Sequence, residues 1–343
     1  MSRSDFPPPG RRPAQYSRRL FAVAFLMAMA VLAPRPALAQ AKFPDKPLKL
    51  VVGFAPGGAA DTVARALAEQ LGKRLNQPVV VDNRSGASGN IASQVVLAAP
   101  ADGYTLLFAG IQLATNPPMM AVGYDPLKDV QMITQFNSVP VVMVVRAESP
   151  YKSVGDVTAA MKSGGQKGGL TFASGGIGTS SHLAAELLSR SLSLPYTHVP
   201  FRGGAPATQA LMAGDVDVMF DLMSGSLKGM VDGKKVRPIA VMQERRVATL
   251  PDVPSAGEQG LKGESFIRTW QGVAVRAGTP PDVLAALYQA VADAVRTPAM
   301  AERFAALGME TTLSANPAEA QQFYLAELKR WSALIKAAGI KAE

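Results

Sequence analysis

The chain has 343 residues, of which 48% are hydrophobic and 18% are charged, and its formal net charge is +9. These values are typical of a globular protein with about two domains. The absence of cysteine excludes disulfide scaffolds, thiolate nucleophiles, iron–sulfur clusters and cysteine-ligated zinc. Only two histidines are present, so the sequence predicts neither a metal site nor a cofactor.

Residues 1–39 have the three parts of a secretory signal peptide. Arginines come first, residues 20–32 form an apolar run, and Ala37-Leu38-Ala39 is a small-x-small cleavage site. The run is shorter than the about 20 residues that span a bilayer, although an uncleaved anchor helix remains an alternative. Arg18-Arg19 also fits a twin-arginine signal. The sequence therefore predicts export by the Sec or the twin-arginine route.

Cleavage after Ala39 leaves 304 residues with 29 Lys and Arg against 25 Asp and Glu. This mild balance does not favour a nucleic-acid partner. Short strands then alternate with amphipathic helices, which predicts an α/β fold with a mainly parallel sheet and helices on both faces. The predicted strands are 47–54, 78–81, 104–108, 130–136, 139–146, 169–172, 198–200, 216–220 and 236–241. The predicted helices are 61–75, 86–99, 153–162, 181–191 and 205–213.

The C-terminal part of the chain is different, because three helices are predicted in succession. They cover 281–296, 298–307 and 317–336, and each has a proline near its start, where the missing N–H costs nothing. Thr279 and Asn316 are the predicted N-caps of the first and third.

Four segments rich in Gly, Ser or Asn each precede a predicted helix. The first turn of a helix exposes unpaired N–H groups and carries partial positive charge, and glycine lets a ligand approach them. Such loops bind carboxylates or phosphates without a dedicated cation. The four segments are 54–61, 85–90, 174–182 and 202–206. Two of them share an echo, because FAPGG at 54–58 resembles FASGG at 172–176.

Enzymatic signatures are weak. There is no P-loop, Gly176-Ile177-Gly178 lacks the third glycine of a dinucleotide site, and no G-x-S-x-G elbow is present. A serine beside His182 leaves open an exported hydrolase, although adjacent helical residues point apart. Asp61 is interpreted as a helix cap and His198 as a structural residue. We therefore predict that the protein is not an enzyme.

The glycine-rich loops carry a resemblance to Bug-type receptors, the substrate-binding components of tripartite tricarboxylate transporters. The similarity extends in order over nearly the whole exported chain. Its motifs are FAPGGAAD at 54–61, VVVDNR at 79–84, ASGGIGTSSHL at 173–183, HVPFRGGAP at 198–206, GDVDVMFD at 214–221, LPDVP at 250–254 and AGTP at 277–280. Small departures occur at Ser85, Phe201 and 222–224, and the last of these would alter one wall of a pocket.

The resemblance implies a two-lobed periplasmic binding protein of type II-like architecture, a Venus flytrap with two crossing hinge strands. The hinges would be 139–146 and 268–276, with lobe 1 at 41–141 plus 267–343 and lobe 2 at 142–266. One ligand carboxylate would be held by backbone N–H groups and hydroxyls of 174–179, opposite 54–61. The expected ligand-binding residues are Phe54, Ala55, Gly57, Gly58, Asp61, Gly89, Asn90, Ser174, Gly175, Gly176, Gly178, Thr179, His182, Gly204, Pro206 and Asp221.

The function expected from the resemblance is that of an extracytoplasmic solute receptor. It would bind a small organic carboxylate, close its two lobes and deliver the ligand to a permease with a large and a small membrane subunit. A ligand sensor for a signalling partner remains an alternative, because it would use the same closure. The receptor is expected to be a monomer, and the identity of the carboxylate stays open.

Overall fold

The computed structural model describes residues 43–164, 169–247 and 250–340. The predicted signal peptide, residues 1–39, lies outside the described residues. Within those ranges no helix combines the length and the apolar character needed to cross a membrane.

The first half of the described chain contains the strand–loop–helix units that the alternating pattern predicts, and then one long strand. The elements are β1 (Leu48–Val52), α1 (Ala59–Leu75), β2 (Val79–Asn83), a 3-10 turn (Ala87–Gly89), α2 (Asn90–Ala98), β3 (Thr105–Gly110), α3 (Gln112–Thr115) and β4 (Val130–Arg146). The two strands predicted at 130–136 and 139–146 are therefore a single strand of 17 residues.

The second half repeats the alternation and then ends in helices. Its elements are α4 (Val154–Lys162), β5 (Thr171–Ser174), α5 (Ser180–Leu192), β6 (Thr197–Pro200), α6 (Gly204–Ala213), β7 (Val218–Leu222), α7 (Gly225–Asp232) and β8 (Val236–Val241). After a 3-10 turn (Gly263–Ser265) come β9 (Arg268–Arg276), α8 (Pro281–Val295), α9 (Pro298–Ala306), β10 (Glu310–Thr311) and α10 (Pro317–Ala338).

The strands lie in the order β2-β1-β3-β9-β4-β7-β5-β6, and β10 and β8 also pair with β4. The outer strands are parallel on both sides: β1 pairs with β2 and β3, and β5 pairs with β6 and β7. Every pair that involves β4 or β9 is antiparallel. The expectation of a mainly parallel sheet was therefore wrong at the centre, where β4 and β9 run against their neighbours.

Strand β4 changes partners in its middle. From Val130 to Pro140 it pairs with β9, whereas from Val141 onwards it pairs with β7 and, from Val142, with β8. One end of β4 thus belongs to a sheet with β1, β2, β3 and β9, and the other end to a sheet with β5, β6, β7 and β8. Among the described strands, β9 pairs only with members of the first sheet, so the chain re-enters that sheet at Arg268. This arrangement gives the two-lobed α/β fold of a periplasmic binding protein.

Helix starts follow the local sequence. Pro281, Pro298 and Pro317 occupy the first turns of α8, α9 and α10, as predicted. The Asn316 side chain caps α10 by accepting from the Glu319 N–H. The predicted cap Thr279 is wrong, because Pro280 stands at that position and the Thr279 hydroxyl instead donates to the Arg276 carbonyl at 2.8 Å.

Helix α10 packs on the first sheet through buried aromatic side chains. The indole nitrogens of Trp270 on β9 and Trp331 on α10 both donate to one oxygen of Glu327, at 3.1 and 3.0 Å. Trp331 and Tyr324 are among the largest fully buried side chains. The C-terminal helix is thereby attached to β9, which lines the site described next.

Candidate binding site

A small cavity of about 60 Å³ lies between the two sheets. Three helix starts meet there, those of α1, α5 and α6, together with the ends of β3, β7 and β9. The first-sheet side contributes Phe54, Gly58, Ala59, Ala60, residues 108–112 and residues 269–271. The second-sheet side contributes Gly175, residues 179–181, Gly203, Gly204, Asp221 and Leu222. First-turn N–H groups have no partner within their helix, so the cavity is suited to an anion.

The two sides of the cavity touch each other at its rim. The Ala55 N–H donates to the Arg202 carbonyl at 3.2 Å, and the Ser226 hydroxyl donates to the Gly57 carbonyl at 2.7 Å. A third bond joins the Thr115 hydroxyl to the Gly178 carbonyl at 2.5 Å. The structure therefore shows the two sides closed on the cavity.

In the 54–61 loop, Asp61 holds the backbone in place. Its carboxylate accepts from the Gly57 N–H at 2.9 Å, from Arg65 at 2.9–3.0 Å and from the Asn83 amide at 3.0 Å. The Asn83 amide also donates to the Phe54 carbonyl. Burial acts to raise the pKa of Asp61, but the hydrogen bonds from Arg65, Gly57 and Asn83 outweigh it and hold the pKa below its usual value. Asp61 thus supports the loop and does not line the cavity.

The 174–182 loop is held by neutral groups instead. The Gly175 N–H donates to the Ser181 hydroxyl at 2.9 Å, and the Gly176 N–H donates to the Ser174 hydroxyl at 3.1 Å. The Gly178 N–H donates to His182 Nδ1 at 3.1 Å. These three N–H groups therefore already donate hydrogen bonds to side chains of the same loop. Ser180 and Ser181 line the cavity at the start of α5, where first-turn N–H groups have no partner within the helix.

Two stacked imidazoles lie behind this loop, on its far side from the cavity. The rings of His182 and His198 are 4.2 Å apart, and His198 Nε2 lies 2.7 Å from the Ser174 hydroxyl. Burial lowers the pKa of both histidines to about 4, so both are neutral at pH 7. Because His182 Nδ1 accepts from Gly178, its ring proton is on Nε2.

This geometry does not suit a serine nucleophile. Ser181 accepts from Gly175 and pairs with the Thr179 hydroxyl at 2.9 Å rather than with His182. Ser174 does meet an imidazole, His198, but it is fully buried and no substrate reaches it. Among the described residues, neither Ser174 nor Ser181 forms an accessible pair with a histidine.

Asp221, at the end of β7, lines the cavity and is the buried acid of the site. Its Oδ2 atom makes no hydrogen bond within the described residues. Burial raises the pKa of Asp221 to about 7, against which one hydrogen bond from the Leu222 backbone acts. The carboxyl lies against Gly204, where an added Cβ would be 1.7 Å from Oδ2, so only glycine fits at this start of α6.

The structure brings part of the expected site together. Phe54, Gly58, Gly175, Thr179, Gly204 and Asp221 line the cavity. Gly89 and Gly176 line an adjoining groove that also contains Phe54 and Gly175. Ala55, Gly57 and Gly178 make rim bonds through their backbones. Ser174, His182 and Asp61 support the loops from behind.

Two of the expected ligand-binding residues, Asn90 and Pro206, lie away from the cavity. The Asn90 side chain is buried and donates to the Val122 carbonyl at 3.0 Å, and its Oδ1 has no partner within the described residues. Pro206 is the third residue of α6, where it has no N–H to offer a ligand. Neither residue lines the cavity.

Sequence reasoning missed several cavity residues on the first-sheet side. Gln112 follows β3, and Thr269, Trp270 and Gln271 are on β9. Asn137 on β4 holds Gln271 by donating to its Oε1 at 2.8 Å, which leaves the Gln271 amide nitrogen available. No glycine-rich signal marks these positions. On β9 the sequence cue is that the polar residues Thr269 and Gln271 alternate with Trp270.

The side chains that could ligate a metal ion are spread apart in the part of the chain that the structure describes. Within the described ranges, no three His, Cys, Asp or Glu side chains come close enough to hold a metal ion. Among the described residues, no lysine, arginine or histidine lines the cavity either. The binding groups are backbone amides, hydroxyls, two glutamine side chains and Asp221.

A two-lobed α/β fold closed over an anion-suited cavity defines a periplasmic solute-binding protein. Comparison with known proteins identifies the family within this class. Residues 63–340 match the tripartite tricarboxylate transporter family receptor, TctC. The chain therefore belongs to this receptor family.

Individual relatives and solved structures are consistent with this family. The chain is 35% identical over 325 residues to a UPF0065 protein encoded in the tcbD–tcbE intergenic region of Pseudomonas sp. (strain P51), covering 94% of this chain and 95% of that one. It resembles the structure of the periplasmic binding protein BugD with a TM-score of 0.82 and 32% identity, over 88% and 100% of the two chains. It also resembles the structure of R. palustris Rpa4515 with adipate, with a TM-score of 0.81 and 31% identity, over 87% of this chain and 99% of that one. The family and these neighbours are substrate-binding receptors, and so this chain is a receptor rather than an enzyme.

Proposed function

We propose that this protein binds a small organic carboxylate in the cavity between its lobes and delivers it to a tripartite tricarboxylate-type permease with a large and a small membrane subunit. The observation that carries the proposal is the meeting of three helix starts at one closed cavity. Their first-turn amides supply partial positive charge, which accounts for an anion site whose described lining residues include no cationic side chain. The solved relative with adipate supports the ligand class.

Closure follows from the way the lobes are joined. Lobe 1 is taken as 41–141 plus 267–343 and lobe 2 as 142–266, with the β4 partner change as the hinge. A carboxylate that contacts α1 on one side and α5 on the other stabilises the closed state, because only that state offers both sets of amides. The rim bonds made by Ala55, Thr115 and Ser226 add to the closed state but need no ligand. The permease then recognises the closed shape.

The proposal includes export and assembly. The predicted signal at 1–39 directs the chain to the periplasm by the Sec or the twin-arginine route, where it works as a monomer. Delivery to a permease requires this location, because the ligand is captured outside the cytoplasmic membrane.

The test is thermal melting of residues 40–343 with adipate, succinate, citrate, glutamate, aspartate, nicotinate, benzoate and terephthalate. A ligand at about 100 times its dissociation constant adds about 2.7 kcal/mol to the free energy of unfolding, which raises the melting temperature by several degrees. A shift with at least one acid supports the proposal. A folded protein that shifts with none of them, and that releases no bound acid on denaturation, contradicts it.

A matched pair of variants locates the site. Thr179 caps α5 at the cavity, and Thr297 caps α9 away from it, each through its hydroxyl. Replacement of either by valine costs about 1 kcal/mol of stability. We expect Thr179→Val to weaken acid binding and Thr297→Val to leave the calorimetric dissociation constant unchanged. Gly175→Val, which adds a side chain to the cavity wall, should also weaken binding while the protein still folds. Equal affinities in all three variants would remove the 174–182 loop from the site.

A further inference from the structure

Asp221 is an unusual group for an anion-binding cavity. Its side chain is buried, it lines the cavity, and its Oδ2 has no hydrogen-bond partner within the described residues. An ionised carboxylate in such a position, without a counter-charge, is unfavourable. An anionic ligand that entered the same cavity would add a second negative charge beside it.

The elements around Asp221 supply no balancing charge. The segments of β4, β5, β7 and α6 that surround it, at 141–145, 171–174, 218–222 and 204–213, contain no other ionisable residue. On α1, Asp61 is paired with Arg65 behind the loop. On α5, His182 stacks on His198 on the far side of its loop, where Glu186 lies 3.8 Å from His182 and pairs with Arg190. The remaining charged neighbours lie outside the cavity: Arg202 is exposed, Arg268 on β9 pairs with Glu310, and Lys228 on α7 pairs with Asp232.

We propose that a carboxylate ligand binds together with one proton, which Asp221 holds and shares with the ligand. The inference rests on the proposed function of this cavity. Asp221 takes the proton from bulk water as the lobes close, forming one O–H bond, and donates a hydrogen bond from this O–H to a ligand carboxylate oxygen. The complex gains one proton, and the solvent loses one.

This arrangement selects a ligand class. A di- or tricarboxylate, or another acid without a cationic group, accepts the shared proton, and the first-turn amides bind its charge. An amino acid would pair its ammonium group with ionised Asp221 and need no proton. Gly204 contributes to the selection, because the absence of a Cβ there lets the Asp221 carboxyl lie against the start of α6.

Closure and protonation reinforce each other. Burial in the closed cavity raises the pKa of Asp221 to about 7, and a nearby ligand carboxylate raises it further. Opening exposes Asp221 to water, which restores a lower pKa and releases the proton. Ligand release and proton release therefore occur together.

The experiment is calorimetric titration of the purified protein with adipate, between about pH 6.5 and 9, where adipate is fully ionised. With one proton taken up, the dissociation constant rises about tenfold per pH unit above the Asp221 pKa. The measured enthalpy should change with the ionisation enthalpy of the buffer, by one proton per ligand. This second readout needs no variant.

Asp221→Asn keeps a hydrogen-bond donor without a titrating proton. We expect its dissociation constant to be independent of pH and, at pH 9, at least tenfold lower than that of the wild-type protein. Asp217→Asn is the matched control, because Asp217 lies just before β7 and binds Thr171 outside the cavity. It should keep the wild-type pH slope.

Binding of adipate without a pH slope or buffer dependence overturns the inference but leaves the proposed function in place. The same holds if glutamate or aspartate binds, adipate does not, and Asp221→Asn abolishes that binding. If the protein binds none of the acids used for melting, the proposed function fails and this inference fails with it.

Discussion

Two loops with nearly the same sequence, FAPGG at 54–58 and FASGG at 172–176, are held in place by different chemistry. In the first, Phe54 lies beyond the end of β1 and lines the cavity, and α1 begins directly after Gly58. In the second, Phe172 lies inside β5 in the core, and α5 begins only at Ser180. The echo therefore predicts a glycine-rich helix start in both lobes but not the same register.

The support behind the loops differs in charge. Asp61 with the half-exposed Arg65 forms an ionised brace in lobe 1, whereas His182, His198 and Ser174 form a neutral buried one in lobe 2. Neither brace places a charged side chain in the cavity. The comparison indicates that the helix starts, and not side-chain cations, provide the positive potential of the site.

The ionised brace should be the more important for stability. Asp61→Ala removes the acceptor of the Gly57 N–H and one of the two acceptors of the Asn83 amide, and we expect a loss of about 3 kcal/mol in the free energy of unfolding. Asp156 is the matched control, because it also accepts the N–H four residues earlier at a helix start but is exposed. Asp156→Ala should cost about 1 kcal/mol or less. Equal losses in urea unfolding would show that the brace has no special role.

The neutral brace should tolerate a change that keeps its acceptor. His182→Phe removes the acceptor of the Gly178 N–H and should cost about 2 kcal/mol. His182→Asn places an oxygen near the position of Nδ1 and should recover part of that loss. Urea unfolding of both variants checks the order. A His182→Asn protein less stable than His182→Phe would mean that packing against His198, and not the hydrogen bond, is what matters.

Acid should weaken lobe 2 before lobe 1. The folded pKa values of His182 and His198 are about 4, against about 6.5 unfolded, so the unfolded chain binds more protons between these values. As the pH is lowered through this window, the free energy of unfolding therefore decreases by about 1.4 kcal/mol per pH unit for each histidine. Asp221 acts in the opposite direction, because its pKa is raised to about 7 and the folded state binds its proton first.

The net expectation for the wild-type protein without ligand is a loss of about 1.4 kcal/mol per pH unit between about pH 6.5 and 4. His198→Phe should reduce this slope to near zero, and Asp221→Asn should double it. The contribution of Asp61, whose pKa is lowered, is lost only at more acidic pH. Urea unfolding at several pH values measures the slopes, and three equal slopes would contradict the assignment.

Much of the fold could be predicted because it follows from local pattern. Short apolar runs, helical periodicity and helix-start residues such as Ser153 and Asn316 are all readable from a few neighbouring positions. The sequence predicts two strands where the structure has the single strand β4. Pro140 lies inside β4, at the point where its pairing partners change. Helix α7 was missed, because eight residues with two glycines give little helical signal.

The site was predictable only where glycine marked it. The loops at 54–61 and 174–182 were identified, and the matched motifs contain most of their supporting residues. Gln112 and Gln271 were not, because a side chain at a strand end reaches the cavity only through the packing of the two lobes. Likewise, the separation of Asp221 from the cationic side chains of the described residues depends on where distant segments place their charges, which no local pattern records.

The most direct test of the account is the crystal structure of the protein with the acid that gives the largest melting shift. A ligand carboxylate should lie in the cavity, within hydrogen-bond distance of the first-turn amides of α5 at Ser180 and Ser181. The ligand should contact the start of α1 directly or through water, with no lysine or arginine among its contacts. A ligand bound outside this cavity, or held by a cationic side chain, would contradict the account.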